Sequence, residues 1–393
     1  METLGEILSS DKYSIKRGPF GSALKKSFFV EKGIRIFEQY NPINNDPHWK
    51  RYFISHEKFQ ELEAFKATEG DLLISCSGTL GKIVELPKDT EMGIINQALL
   101  KIRLNNIKIL NSYFIYYFNS PIMQEKILES TLGSTIKNIA SVKILKQIEI
   151  PLPPLKKQER IVGILDESFA KIDESIKILE QNLLNLDELM QSALQKAFNP
   201  LKDNAKENYK LPQSWEWKSL EEISENISAG GDKPKNCTES KTAKNQIPVY
   251  ANGVNNNGLV GYTDKATIIK PSLTISARGT IGFVCIRKEP YFPIVRLISL
   301  IPCENILCLH YLYFCLNFFI AKGEGSSIPQ LTIPKFKSLQ IPLPPLKEQE
   351  QIAKHLDFVF EKTKALKELY TKELKDYEEL KQSLLNKAFK GKL

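Results

Sequence analysis

A few stretches carry residue types that could do chemistry. Ser77-Gly78-Thr79-Leu80-Gly81-Lys82 has the glycines and the lysine of a phosphate-cradling loop. Its spacing is shorter than G-x-x-x-x-G-K-[ST], and Ile83 follows the lysine. The stretch fits a tight turn between two strands, or a turn whose amides and Lys82 face a phosphate. Asn41-Pro42-Ile43-Asn44 shares only its first two residues with an Asn-Pro-Pro-Tyr signature and reads as a turn. Asp71 and Glu85 are a candidate pair of carboxylates, but one ends a loop and the other lies in a strand. The six cysteines, Cys76, Cys237, Cys285, Cys303, Cys308 and Cys315, contain no C-x2-C pair. With only four histidines, His48, His56, His310 and His355, zinc-ligand spacing is absent. There is no H-E-x-x-H and no Ser-His-Asp set. The chain is expected to hold no metal or cofactor and to be no enzyme.

Cations and amides suggest a different chemistry. The net charge of +8 suits a polyanion. The excess lies on the two globular stretches, while the first long helical segment is net acidic. Lys25 with Lys26, Lys50 with Arg51, and Lys233 with Lys235 sit in loop-like sequence rich in Gly, Asn or Pro, as do Lys241 and Lys244. Each cluster alone reads as solvated surface; together with Lys82 and Arg278 they suit phosphate contact. The run Ala251-Asn252-Gly253-Val254-Asn255-Asn256-Asn257-Gly258 is a hairpin turn or a loop offering amides, Asn252 and Asn255 among them, to adenine edges.

These groups must be positioned by a chain that repeats itself. Ile150-Pro151-Leu152-Pro153-Pro154-Leu155-Lys156-Lys157-Gln158-Glu159 returns as Ile341-Pro342-Leu343-Pro344-Pro345-Leu346-Lys347-Glu348-Gln349-Glu350. The match runs without a gap over residues 148–199 and 339–390, at an offset of 191. A period of this size is a duplicated half-molecule. The prolines hold an extended segment, so a helix is expected only after Leu155. Its apolar positions are Ile161, Leu165, Phe169, Ile172, Ile176, Leu179, Leu183, Leu186, Met190, Ala193 and Ala197, spaced by three and four as in a coiled-coil seam. About 40 residues make a rod of roughly 60 Å. The second copy is less regular: Ile352, Leu356, Phe360, Thr363, Leu366, Leu369 or Tyr370, Leu374, Tyr377, Leu380, Leu384 and Ala388. Antiparallel pairing of the two rods is expected, with pseudo-two-fold symmetry.

The globular stretches match in outline only. Leu4-Gly5-Glu6-Ile7 pairs with Leu220-Glu221-Glu222-Ile223, Leu72 to Gly81 with Leu273 to Gly282, and Gly133-Ser134-Thr135-Ile136 with Gly325-Ser326-Ser327-Ile328. In the first stretch strands are expected over 71–75, 82–86 and 94–104, and a helix over 111–128. The expected divisions are a first mixed domain over 1–147, proline motif and rod over 148–199, a linker over 200–210, a second mixed domain over 211–338, and motif and rod over 339–393. The most apolar run, Ile306 to Ile320, is too short to span a membrane, and no signal peptide is seen, which makes the cytoplasm the default.

The doubled Pro-Leu-Pro-Pro-Leu-x-x-Gln-Glu motif, the long helix after each copy and the Leu211-Pro212-x-x-Trp215 domain start together resemble the specificity subunits of type I restriction-modification systems. The resemblance covers essentially the whole chain. It implies an α+β fold of two target recognition domains joined by an antiparallel helical spacer. It further implies that each domain reads half of a bipartite double-stranded DNA site. Two methyltransferase subunits would dock on the spacer, with restriction subunits a possible addition; Pro154, Leu155, Gln158, Pro345, Leu346 and Gln349 are the docking candidates. S-adenosylmethionine, ATP and magnesium would belong to those partners. The first domain lacks a Leu-Pro-x-x-Trp start, so a less complete opening strand is expected there. The alternative is an adaptor that bridges proteins through its rods.

Overall fold

The computed structural model describes residues 1–129, 139–198, 211–320, 323–324 and 331–392. The expected linker over 200–210 and the loops at 133–136 and 325–328 lie outside the described residues. The chain forms two compact units, Met1–Leu179 with Lys372–Leu393, and Glu180–Thr371.

In the first unit, a four-stranded antiparallel sheet runs in the order Ile15–Arg17, Leu99–Ile102, Leu72–Ser75, Ile83–Glu85. Side chains alternate across it. Leu72, Ile74, Leu100 and Ile102 pack with Tyr113, Phe114 and Tyr117 of the head helix Asn111–Phe118. Leu73, Val84 and Leu99 belong to a second cluster with Phe37 and Ile95. Burial on both faces explains the consecutive apolar residues Leu72-Leu73-Ile74, Ile83-Val84 and Leu99-Leu100. A second sheet, Phe29–Val30, Phe53–Ile54, Ile34–Phe37, Gly93–Ile95, Lys66–Ala67, contains one parallel pairing, between Ile34–Phe37 and Gly93–Ile95.

Two sequence expectations need correction here. The strand expected over 94–104 is two strands in different sheets, Gly93–Ile95 and Leu99–Ile102. Asn96 turns the chain between them: its carbonyl accepts from the Leu99 amide at 3.1 Å and its Oδ1 from the Ala98 amide at 3.0 Å. The helix expected over 111–128 is also two, Asn111–Phe118 and Pro121–Glu129. Pro121 cannot continue a helix but starts one readily, and Ser120 Oγ donates to the Tyr117 carbonyl at 2.6 Å in the break.

The second unit repeats the plan. Its four-stranded sheet runs Ser224–Ala229, Ile298–Pro302, Ser272–Ile275, Val284–Arg287, and packs Leu273, Ile275, Ile298 and Leu300 with Tyr311, Phe314 and Cys315 of the head helix Leu309–Phe319. Its second sheet is smaller: Leu259–Thr263, Ile247–Tyr250, Phe292–Pro293. The opening strands differ in length. Glu2–Thr3 pairs with Glu149–Ile150, whereas Glu216–Ser219 pairs with Gln340–Leu343. Both openings lead into the same capping box. The Thr3 amide donates to Glu6 at 2.7 Å and the Ser219 amide to Glu222 at 2.8 Å.

The rods are the helices Leu155–Phe198 and Leu346–Phe389, each of 44 residues. The first begins at Leu155 itself, one residue earlier than expected, because Pro154 serves as the residue before the helix and its carbonyl accepts from Lys157 at 2.8 Å. All the seam positions expected in the first rod are buried or half-buried. Within each unit the rod segments run antiparallel. Ile161 and Leu165 share a cluster with Leu385 and Ala388 in the first unit, and Ala193 and Phe198 one with Ala353 and Leu356 in the second. The second seam departs from expectation. Leu366, Leu369 and Leu380 are exposed, at 39%, 55% and 44%, and Tyr370 is half-buried in place of Leu369. Lys381 and Lys367 turn inward instead and pair with Asp173 and Asp187 respectively, one ion pair in each unit. No helix of the described residues is long and apolar enough to cross a membrane.

Candidate nucleic-acid interface

Each head is fastened to the base of its rod by a glutamine. Gln158 is fully buried. Its Oε1 accepts from the Leu110 amide at 2.9 Å, and its Nε2 donates to the carbonyls of Lys108 at 3.0 Å and Pro153 at 2.8 Å. Gln349 repeats this with the Cys308 amide at 2.9 Å and the carbonyls of Ile306 at 2.9 Å and Pro344 at 2.8 Å. Both glutamines were docking candidates in the sequence. The structure corrects this, since a buried amide whose donors and acceptor are all used internally offers nothing to a partner. Of the other docking candidates, Pro154 and Pro345 are exposed and Leu155 and Leu346 half-buried.

A second fastening accompanies each glutamine. Tyr113 donates to the Pro151 carbonyl at 3.0 Å, and Tyr311 to the Pro342 carbonyl at 2.7 Å. Burial raises the Tyr113 phenol well above its usual range, so it stays a donor. Aromatic residues from the rod ends close the base. Phe389 meets Tyr113 and Tyr117 edge-on at 5.4 and 5.1 Å, and Phe198 meets Tyr311 at 5.6 Å. The second head adds a contact from its longer opening, Trp215 Nε1 to Glu348 Oε1 at 3.1 Å.

The candidate carboxylates are structural. Asp71 is fully buried and receives Arg103 Nε at 2.7 Å, Arg103 Nη2 at 2.8 Å and the Thr68 amide at 2.8 Å. The hydrogen bond to Asp71 holds the Arg103 guanidinium charged more firmly than usual. Glu85 accepts from Asn111 Nδ2 at 2.7 Å. Asn41 is fully buried, accepting from the Glu38 amide and donating to the carbonyls of Asp46 and Trp49, so its segment is a braced turn of short helix. Burial raises the Cys76 thiol to about 12 and the Cys315 thiol well above its usual value, which leaves both as inert packing. No cluster of three or more His, Cys, Asp or Glu suited to a metal occurs among the described residues.

The loop at 76–82 is a tight turn. Gly78 and Gly81 take φ of 67° and 68°, and the Gly81 amide donates to the Ser75 carbonyl at 3.0 Å. The Lys82 amide donates to Ser75 Oγ at 3.0 Å. The matching turn repeats the pattern, with Gly279 and Gly282 at 71° and 79° and the Gly282 amide donating to the Ser276 carbonyl at 3.0 Å. With the Gly81 and Lys82 amides occupied, what the turn presents is a side chain: Lys82, exposed, and Arg278, half-buried with its Nε unpartnered.

The remaining candidates divide by what holds them. Lys25 and Lys26 are exposed at the start of a short 3-10 turn, Lys26–Phe28. Lys50 is exposed but paired with Glu91 at 3.1 Å, and the Arg51 guanidinium lies over the Tyr52 ring at 4.7 Å. In the second head Lys233 and Lys235 are exposed. Asn255 is exposed too, whereas Asn252 is not a free amide. Its Oδ1 accepts from the Ala277 amide at 2.8 Å and its Nδ2 donates to the Val295 carbonyl at 2.7 Å. Asn252 therefore braces a loop rather than reading a base edge. The first unit also contains an open cleft of about 750 Å³, lined by Glu69, Gly70, Glu85, Lys88 and Asn111 among others. Of its polar lining residues, Glu85 and Asn111 are already engaged with each other.

Two mixed heads of one design, each latched to a long helix through a repeated proline-glutamine motif, define a duplicated α+β protein whose conserved geometry lies at the head bases. The profile of the type I restriction modification DNA specificity domain matches residues 21–184 and again residues 212–376, and the chain belongs to this family. It is 33% identical over 221 residues to S.MpnORF507P of Mycoplasma pneumoniae, described as a type I specificity subunit, covering 55% of this chain and 56% of that one. It is 31% identical over 233 residues to S.MpnORF89P of the same organism, covering 57% and 67%. The chain thus spans from 56% to 67% of the length of these relatives. The specificity subunit of the type I restriction enzyme EcoBI from Escherichia coli is 22% identical over 359 residues, with 82% of this chain and 73% of that one covered. Among solved structures, a chain from a study of complex assembly and conformational transition of the type I R-M system aligns with a TM-score of 0.80 at 20% identity, covering 100% of this chain and 97% of that one. The HsdS subunit from Thermoanaerobacter tengcongensis aligns with a TM-score of 0.61 at 20% identity, covering 100% and 96%. At that identity these two likenesses concern the fold.

Proposed function

We propose that this chain is a non-catalytic recognition subunit that reads a bipartite DNA target and brings methyltransferase subunits, and restriction subunits where they exist, to it. Support comes from one contrast. The head bases are copies of each other down to single hydrogen bonds, while the outward turns differ in sequence and charge. Two copies of one frame with unlike reading surfaces suit two unlike half-sites. Exposed lysines such as Lys25, Lys26, Lys82, Lys233 and Lys235 would neutralise phosphates and set register, and loop side chains would reach base edges in the major groove.

The rods would serve the partners. Ile178, Leu184, Leu189, Phe358 and Leu369 are more than half exposed, which is unusual for large apolar residues and suits a protein interface. Methyl transfer would use S-adenosylmethionine held by the methyltransferase, and ATP with magnesium would be held by a restriction subunit. This chain would supply only placement.

Binding to a DNA pool in the presence of the methyltransferase subunit, measured across salt concentrations, tests the reading. Affinity that falls steeply with salt, as expected for several phosphate contacts, supports it. Absent or salt-insensitive binding by a folded complex would favour an adaptor between proteins.

A further inference from the structure

The second head carries a strained, braced turn that the first head lacks. Residues 294–297 correspond to residues 96–99. The Ile294 amide donates to the Tyr250 carbonyl as the Asn96 amide does to Phe37, and Leu297 closes on Ile294 at 3.0 Å as Leu99 closes on Asn96 at 3.1 Å. The Gly230 amide meets the Leu297 carbonyl at 2.8 Å just as Gly18 meets Leu99 at 2.9 Å. The turn residues are nevertheless different. Gln97 and Ala98 keep ordinary backbone angles, while Val295 and Arg296 stand at φ of 54° and 60°. A β-branched residue takes up that region only when its surroundings force it, and such outliers gather at functional positions.

The forcing groups are visible. The Val295 and Arg296 amides donate to the carbonyls of Gly231 and Gly230, each at 2.8 Å. Asn252 then bridges the Val295 carbonyl to the Ala277 amide. In the first head the Cys76 amide, equivalent to Ala277, reaches the Ala98 carbonyl directly at 2.8 Å. Asn252 thus takes the place of a direct backbone contact, and ties the Ala277 amide to a carbonyl one position earlier in the turn. The residue after Ala277 is Arg278, so one asparagine ties together two turns that each bear an arginine. Arg296 is exposed and forms no ion pair among the described residues. At the matching places the first head has Ala98 and Ser77.

We propose that Arg296, held by the Asn252 brace, is a specificity-determining residue of the second head that reads a guanine edge in its half-site. This rests on the DNA-recognition reading above. A phosphate contact tolerates a mobile lysine, whereas a bidentate contact to guanine O6 and N7 needs a planar fork held in place. A doubly left-handed turn pinned at both amides and at one carbonyl fixes the backbone from which that fork extends. Asn252 acts only through the turn and is a positioning residue.

The test uses the full chain with its methyltransferase subunit. Sites are first selected from a random pool by the wild-type complex, then binding of R296A, R296K and N252A is measured on the selected site and on versions altered in one half. For R296A the expected loss is about tenfold or more, confined to DNA with an intact second half-site, with relaxed preference at one guanine. R296K should fail to restore that preference, because a point charge lacks the fork. N252A should relax the same position with less loss of affinity. Restoration by R296K, or equal weakening on DNA lacking the second half-site, would reduce Arg296 to a general phosphate contact and overturn the proposal. Unchanged selection by R296A would overturn it as well. If the wild-type complex selects no DNA, the functional reading itself has failed, an outcome distinct from either. Should N252A fail to fold, the two arginine variants decide alone.

Discussion

The two units agree most closely where a head meets its rod and least where a head meets solvent. At the base, Gln158 and Gln349 make the same set of three hydrogen bonds, and Tyr113 and Tyr311 the same fourth. At the tips, Ser77 and Ala98 of the first head stand where the second has Arg278 and Arg296. The first head builds a five-stranded second sheet where the other has three strands. Contacts that fix a head on its rod are buried and duplicated, while differences lie in the second sheet and in turns whose side chains face water.

The comparison can be broken most visibly through the rods. Removing one heptad from each takes away ~10 Å of helix, and the expected outcome is a preferred gap between half-sites shorter by a few base pairs at ~3.4 Å each. An unchanged gap in a site selection with the shortened chain would show that rod length does not set the spacing.

Next in size is the latch. Gln158→Ala and Gln349→Ala each leave a buried backbone N–H and carbonyls without partners, at a cost of about 2–4 kcal/mol. Amide exchange should quicken at Leu110 in the first variant and at Cys308 in the second, by similar factors. Strongly unequal effects would show that the two bases are alike only in appearance.

A smaller effect sharpens the difference between the heads. Trp215→Phe removes the indole hydrogen bond to Glu348, which has no counterpart in the first head among the described residues. The expected loss is about 1–2 kcal/mol, seen as faster exchange near the second opening strand and none near Glu2–Thr3. Smallest are the ion pairs of the rods. Asp173→Asn and Asp187→Asn should each cost about 0.2–1 kcal/mol in thermal or denaturant unfolding, and less at high salt, because both aspartates are exposed.

Much of the frame was legible because it is periodic. The first rod's seam followed directly from its spacing, and a gapless repeat announced the duplication. The second seam was less so: Leu366 and Leu380 fit the heptad yet are exposed, because inward lysines at 367 and 381 meet acids on the facing helix. That choice depends on a partner that spacing alone does not specify. Gln158 is conspicuous through its repetition, which makes it a docking candidate in the sequence, yet its side chain is buried. A side chain that serves distant backbone groups leaves no local pattern distinguishing it from a docking residue. Asn252 looked like a free amide for the same reason. Arg296 was missed entirely, since nothing in Pro293-Ile294-Val295-Arg296 signals a left-handed turn. The signal lies in tertiary bonds to Gly230, Gly231 and Asn252.

Two unlike heads on one duplicated frame would read two unlike half-sites. The most direct measurement is recovery of oligonucleotides from a random pool by the complex of this chain with its methyltransferase subunit. The expected result is a two-part motif with a fixed gap, in which substitutions in the first head alter one part and substitutions in the second head alter the other. Recovery of sequence-random DNA, or of one uninterrupted motif affected alike by both heads, would contradict it.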